Sequence, residues 1–222
     1  MGVSNLNKSV KFWDKRSSEY DQKAKKNEQM YIKAIENTKK HLTSSDTVLE
    51  YACGTGIITN EIAGNVKEIH AIDTSSKMIE VAKRKADERK IENINFMQSS
   101  IFNERFKQES FDLILAYHIL HLLEDGQKAM QQINKLLKPG GLFISATPCL
   151  REQKSFLRIV LPLLMKVGIA PYVKSFKTSD LYDLITNGDF QIIEAESILS
   201  APPNYFIVAK KIEVTQQITR LK

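Results

Sequence analysis

The chain has 222 residues, 42% hydrophobic and 26% charged, which is the composition of a folded domain and too apolar for a disordered one. Lys and Arg outnumber Asp and Glu by 32 to 26, giving a net charge of +6 and a pI near 9.1. The excess is local: residues 1–41 hold ten basic and five acidic side chains, residues 210–222 hold four and one, and the body between them is near −2. A neutral body with basic ends lacks the basic face of a nucleic-acid-binding domain, and no nucleic-acid partner is expected.

Two cysteines, Cys53 and Cys149, cannot form a disulfide framework, and neither has a CxxC neighbour. The first residues, MGVSNLNKSVKFWDKR, contain no apolar core of signal-peptide length. Gly2 is followed by Leu6 where myristoylation wants Ser or Thr. The most apolar stretch, residues 156–170, is broken by Arg158, Pro162 and Lys166 and is too short to span a bilayer. These features predict a reduced, cytoplasmic setting.

Residues 10–42 read as a polar helical extension, with Tyr31, Ile35 and Leu42 on one face and Met30 and Ala34 beside it. Thr43-Ser44-Ser45-Asp46 ends that pattern. Short apolar runs then alternate with segments of helical period. Residues 47–51 predict a first strand, then a glycine turn and a helix through Ala63; residues 68–72 predict a second strand. A helix with Met78, Val81, Ala82 and Ala86 on one face follows. Residues 93–97 and 111–116 predict strands three and four. The next helix carries Glu124 and Asp125 at its start and Lys135 and Lys138 at its end, the order the helix dipole favours. Pro139-Gly140-Gly141 ends it, and residues 142–146 predict strand five.

Strand–helix alternation of this kind means a doubly wound, mainly parallel sheet covered on both faces. Residues 147–188 then form an apolar insert with a Leu-rich helical segment and a second helix near residues 179–186. Residues 190–199 and 205–211 predict two last strands, joined by only five residues. A connection that short forbids a parallel crossover, so they form an antiparallel hairpin. The expectation is one α/β domain, residues 1–222, with a seven-stranded Rossmann-like sheet, an N-terminal extension over residues 1–42 and an insert over residues 147–188 between strands five and six.

The chemical signal begins at Val48-Leu49-Glu50-Tyr51-Ala52-Cys53-Gly54-Thr55-Gly56. At Gly54 and Gly56 a ligand can approach backbone that a Cβ would block. Asp73 ends the second strand, where a carboxylate can accept hydrogen bonds from ribose hydroxyls. A nicotinamide or flavin dinucleotide wants a third glycine, but Ile57-Ile58-Thr59 follows Gly56. Glu50 would also repel a pyrophosphate and suits a cationic ligand better. No Gly-Lys-Ser/Thr follows, which excludes a P-loop.

Glu50-x-Ala52-x-Gly54-x-Gly56 resembles the nucleotide-binding loop of class I S-adenosylmethionine-dependent methyltransferases, with Ala52 in place of the motif's first glycine. The resemblance covers nearly the whole chain and leans toward the small-molecule, ubiquinone–menaquinone-type branch. Residues 73–78, 110–114 and 136–141 resemble the second motif, the fourth strand and the turn before strand five. It implies S-adenosylmethionine as cofactor, S-adenosylhomocysteine as product, and no metal. Gly54 and Gly56 would line the cofactor, Glu50 hold its methionine part, Asp73 its ribose, and Met78 or the Thr74 backbone border the adenine. Ser100 stands where an Asp usually receives the adenine amino group, with the Ile101 N–H beside it. Phe12-Trp13-Asp14 and Glu19-Tyr20-Asp21 resemble an aromatic entry segment in which Tyr20 closes over the cofactor.

Tyr117, His118 and His121 follow strand four at the ligand rim of the sheet. Tyr117 is counted with the cofactor-binding residues, and His118 and His121 are candidate general bases, since histidine is poised near neutral pH. Their three-residue spacing suits a metal, but no third ligand is apparent. His41 and His70 have no comparable setting. No Asn/Asp-Pro-Pro-Tyr/Phe follows strand four, which disfavours amino-group methylation of nucleic acids. The insert carries Phe156, Leu157, Ile159, Val160, Leu161, Leu163, Leu164, Met165 and Val167, resembling the lid of small-molecule members. The acceptor expected is therefore small and largely apolar. Two other readings stand beside it: a peripheral membrane enzyme with weak surface contact, working on a lipid or quinone, and a non-catalytic cofactor-binding interaction protein.

Overall fold

Seven strands form one sheet in the order β3-β2-β1-β4-β5-β7-β6: β1 (Thr47–Tyr51), β2 (Glu68–Asp73), β3 (Ile94–Gln98), β4 (Phe111–Tyr117), β5 (Leu137–Pro148), β6 (Phe190–Ser200) and β7 (Pro203–Lys211). The computed structural model describes residues 3–152, 157–166, 169–200 and 202–213, with the side chains of 3–6 and 157–159 left aside. Phe156 and Val167 of the expected insert, and the side chains of Leu157 and Ile159, lie outside the described residues. Strands β1 to β5 pair parallel, while β7 runs antiparallel to both β5 and β6. The last hairpin thus places its second strand inside the sheet and leaves β6 at the edge.

Successive side chains of each central strand enter two different cores, as the two-residue period requires. Leu49, Ile114, Phe143 and Ile207 point to one face, beneath α6 (Gly126–Leu136) and α8 (Thr178–Thr186). Val48, Leu113, Leu115, Ile144, Phe206 and Val208 point to the other, beneath α3 (Glu28–Lys39), α4 (Thr59–Ile62) and α5 (Ser76–Glu88). With both faces covered, the strands read as continuous apolar runs. Ser75 and Asp125 cap α5 and α6, accepting the backbone N–H groups of Met78 and Lys128.

Two local features depart from the sequence reading. Helix α6 stops at Leu136, and strand five starts at Leu137 rather than 142, pairing with Phe111 across a register shift. Pro139-Gly140-Gly141 therefore belongs to the bulged start of the strand. A Cβ on Gly141 would stand 2.9 Å from the Asp112 carbonyl oxygen, so no larger residue fits. The N-terminal helix also breaks into α1 (Val3–Asp14), α2 (Tyr20–Ala24) and α3, with single 3-10 turns at Ser17–Glu19 and Lys25–Asn27. The breaks free Asp14 and Asp21 to bond outside the helices. On α3 the buried apolar residues are Met30 and Ala34, with the polar Asn37 and Thr38 also buried, while Tyr31 and Ile35 are only partly covered. Asn37 and His41 tie this segment to Glu196 and Glu194 of β6. Helix α7 (Leu157–Lys166) carries Pro162 within it.

Candidate active site

Strand order reverses between β1 and β4, and open α/β sheets bind ligands at the carboxyl ends of strands flanking such a point. The chain leaves β1 through three left-handed residues, Ala52 (φ 61°), Gly54 (φ 56°) and Gly56 (φ 71°). Gly54 lies open beneath the Tyr20 ring, whose Cε1 is 4.0 Å from where a Cβ would stand. At Gly56 the close approach is to α5: a Cβ would meet Ala82 Cβ at 3.2 Å and Asn60 Nδ2 at 3.3 Å. Ala52 takes the same left-handed conformation with a Cβ, at a cost of roughly 1 kcal/mol or more.

Two buried carboxylates flank this loop. Asp73 accepts the Gly54 N–H at 3.0 Å and the Ser75 N–H at 2.8 Å, one on each oxygen. Burial raises its pKa, against the opposing pull of those N–H groups and that of Thr74. Each oxygen keeps further acceptor capacity. Glu50 accepts the Thr59 hydroxyl. Burial pushes its pKa up to about 7, with the Asp73 charge adding to the shift.

Tyr20 and Tyr31 close the chamber from the N-terminal side, and burial raises the pKa of both hydroxyls. With Glu50, Gly54, Tyr117 and His118 they enclose about 30 Å³, the space of about one water molecule. Asp14 and Asp21 latch the segment that carries Tyr20. Asp14 accepts the Ser75 hydroxyl at 2.6 Å and the Lys77 N–H at 3.4 Å. Asp21 accepts the Thr55 hydroxyl and pairs with Lys85 at 2.6 Å. The Trp13 ring stands edge-on to Tyr20, 6.2 Å away.

At the end of β4 the Tyr117 hydroxyl bonds Thr38, and burial raises its pKa. His118 is itself left-handed, φ 54°, with its N–H held by the Ala146 carbonyl at 2.8 Å. Strain of this kind collects at functional sites. Its ring packs on Tyr31, and Nδ1 lies 3.5 Å from Asn204 Nδ2. Desolvation lowers the His118 pKa to about 4 and that of His121 to about 3. His121 Nδ1 is buried and has no hydrogen-bond partner among the described residues. His41 pairs with Glu194, and His70 packs on Phe111, both away from the chamber.

A second cavity of about 330 Å³ opens beside the loop, lined by Ala52, Thr74, Ser100, Phe102, Leu123 and others. Thr74 and Ser100 thus share one wall. Ile101 is fully buried beside them. Met78 lies 2% exposed in the core under α5, outside both linings. A third space of about 720 Å³ lies between α1 and the segment after α7, bounded also by Leu122 and Glu124, which border the second cavity too. Asp14 and Asp21 enter the sequence reading only as neighbours of Trp13 and Tyr20, and Tyr31 only as part of a helix face, while Thr38 does not enter it, because their contacts depend on where the broken helix turns. No group of three His, Cys, Asp or Glu residues able to hold a metal occurs among the described residues.

Residues 42–187 match the family model of the methyltransferase domain. A ubiquinone biosynthesis O-methyltransferase of Rickettsia akari is 26% identical over 168 residues, spanning 73% of this chain and 65% of that protein. A demethylmenaquinone methyltransferase of Staphylococcus saprophyticus is 24% identical over 168 residues, 71% of this chain and 68% of that one. Among solved structures, a geranyl diphosphate methyltransferase in complex with S-adenosylmethionine superposes with a TM-score of 0.69 at 12% identity, over 82% of this chain and 85% of its own.

Proposed function

Because the chain belongs to the methyltransferase domain family and is a class I S-adenosylmethionine-dependent enzyme, we propose that it methylates a small quinol- or phenol-type acceptor. The observation that carries the reading is the meeting of Glu50, Gly54, Tyr117 and His118 in one chamber at the switch point, next to a second cavity walled by Thr74 and Ser100. The names of the relatives support the quinol class.

The residues fit this cofactor. Gly54 leaves bare backbone under Tyr20, and Asp73 has acceptor capacity left for ribose hydroxyls. Glu50 supplies a buried acid suited to a cationic ammonium or sulfonium. Thr74, Ser100 and the Ile101 N–H border the adenine side. When bound, the cofactor supplies a methyl group on a positively charged sulfur, which keeps the bonding electron pair as the acceptor oxygen takes the methyl.

The protein's part is alignment and exclusion of water. Proximity and orientation of this kind are worth roughly 7–11 kcal/mol. Tyr20 and Tyr31 shut the chamber, and an aromatic face beside a cation adds about 0.5–2 kcal/mol. His118 borders the chamber and is neutral at pH 7, so it accepts a hydrogen bond from the acceptor hydroxyl and orients it; with pKa values of about 4 and 3 neither histidine retains the released proton, which passes to solvent. The setting is a reducing, cytoplasmic one, supported by two free, buried cysteines.

The test is release of S-adenosylhomocysteine on a panel of catechols, quinols, thiols and amines bearing short apolar chains. Turnover on catechols or quinols, lost in His118→Ala, is expected. Turnover confined to RNA or protein would contradict the reading.

A further inference from the structure

We propose that the cavity between α1 and the segment after α7 binds the anionic group of an amphipathic small molecule, a carboxylate or phosphate on an apolar body. This rests on the methyltransferase reading, in which that molecule is the acceptor. On and just after α1, Lys8, Lys11 and Lys15 are exposed side chains at the rim of this space. Lys8, Lys11 and Lys15 stand three and four residues apart, so they share one helical face. That face, together with Arg16, lines a space of about 720 Å³, well within the size of small-molecule sites.

The side chains of Lys8, Lys11 and Lys15 make no ion pair or hydrogen bond among the described residues. Arg16 is a built cation: its guanidinium lies over the Phe12 ring, 3.5 Å from the centroid, and donates to the carbonyls of Phe12 and Ile169 at 3.3 and 3.4 Å. Two of its five N–H donors are thereby used, leaving others for a ligand. Among the described lining residues Glu124 is the one acid beside four cations. Positive charges gathered in one recess repel each other, and an anion entering relieves that repulsion.

The opposite wall is apolar, with Leu122, Met165, Pro171 and Tyr172. A ligand for this space therefore has a charged end toward α1 and an apolar body toward the insert. Leu122 and Glu124 also border the cavity beside the glycine loop, which makes the two spaces neighbours. The lysines line a recess rather than a flat face, which favours a single molecule over a lipid bilayer.

The experiment uses two fluorescent probes that differ in one group: 8-anilino-1-naphthalenesulfonate and its uncharged counterpart N-phenyl-1-naphthylamine. Both are titrated with saturating S-adenosylhomocysteine present, so that the cofactor chamber is filled. The sulfonate should bind roughly tenfold more tightly or better, and that preference should weaken with salt. The triple variant Lys8→Gln/Lys11→Gln/Lys15→Gln should lose the preference, bind the uncharged probe as before and melt with the wild type. Dodecyl phosphate below its micelle concentration should displace the sulfonate. Equal binding of the two probes by the wild type would overturn the proposal, as would a preference that survives in the triple variant. Displacement only by phosphatidylglycerol vesicles, and not by dodecyl phosphate, would also overturn it and assign the cations to a membrane surface. A wild type that binds no S-adenosylhomocysteine by calorimetry would contradict the methyltransferase reading instead, with the probe preference still reporting on the anion site.

Discussion

Glu50 sets the pH behaviour of the chamber. Its carboxyl is held at about 7 against an ordinary 4.5, so the folded chain keeps a proton that the unfolded chain has already released. The stability this contributes is full below pH 4.5 and is lost as pH rises through 7, by about 3 kcal/mol at 1.36 kcal/mol per pKa unit. A cationic ligand needs the opposite, ionised state. Binding of S-adenosylhomocysteine should therefore tighten from about pH 5.5 to about pH 7.5, and Glu50→Gln should flatten both profiles. Tightening that persists in Glu50→Gln would assign the proton elsewhere. The histidines carry the reverse sign. Their folded values of about 4 and 3 lie below the ordinary 6.5, so their stabilisation is present above pH 6.5 and lost on acidification toward 4. In urea titrations His121→Gln should lose less stability than the wild type between those pH values; an equal loss would mean His121 takes up its proton freely in the fold. Glu50, Gly54 and Asp73 were legible in the sequence because their residue types state their chemistry. The left-handed turns at Ala52 and His118 were not, since neither residue type announces positive φ.

At the scale of elements, the N-terminal segment shows most clearly where pattern reading stops. Helical period runs almost unbroken through residues 10–42, yet Asp14 and Asp21 gain more from Ser75, Thr55 and Lys85 than from continuing a solvent-facing helix. Those partners lie about sixty and thirty residues further along, beyond the reach of any local window. The resulting strap carries Tyr20 onto Gly54 and leaves room for little more than a water. The proposed cofactor role of Tyr20 therefore requires the strap to give way for the methionine end to enter. Limited proteolysis within residues 14–27 should be slowed by S-adenosylhomocysteine. Asp21→Ala should quicken cleavage in its absence and weaken binding several-fold. Cleavage that ignores both would reduce the strap to packing.

Across the whole molecule, the sheet follows from sequence because each strand's two-residue alternation feeds two cores, and because short connections rule out most topologies. Ile114 and Leu115 are neighbours in the chain and belong to opposite faces. The five-residue link fixed the antiparallel hairpin, but nothing local placed β7 rather than β6 beside β5. That choice comes from burial: β7 has Phe206, Ile207, Val208 and Ala209 all fully covered, whereas β6 exposes Ile193 and alternates with charge, as an edge strand does. Phe206→Ala should accordingly cost about 3–5 kcal/mol in denaturant unfolding. On α7 none of the described apolar side chains is fully buried and Leu163 is 62% exposed, whereas Phe176, Leu181 and Ile185, later in the insert, belong to the core. Leu164→Asp should then abolish turnover while leaving cofactor binding and the melting temperature close to wild type. Loss of all three together would make α7 part of the core.

The proposed function requires the chamber at the switch point to hold S-adenosylmethionine. Calorimetric titration of the wild type and of Asp73→Ala tests this most directly. The wild type should bind with a Kd in the micromolar range, about −8 kcal/mol, and the variant should lose tenfold or more, since a hydrogen bond to a charged group is worth roughly 1.5–3 kcal/mol. No binding by the wild type, or equal affinity in the two proteins, would contradict it.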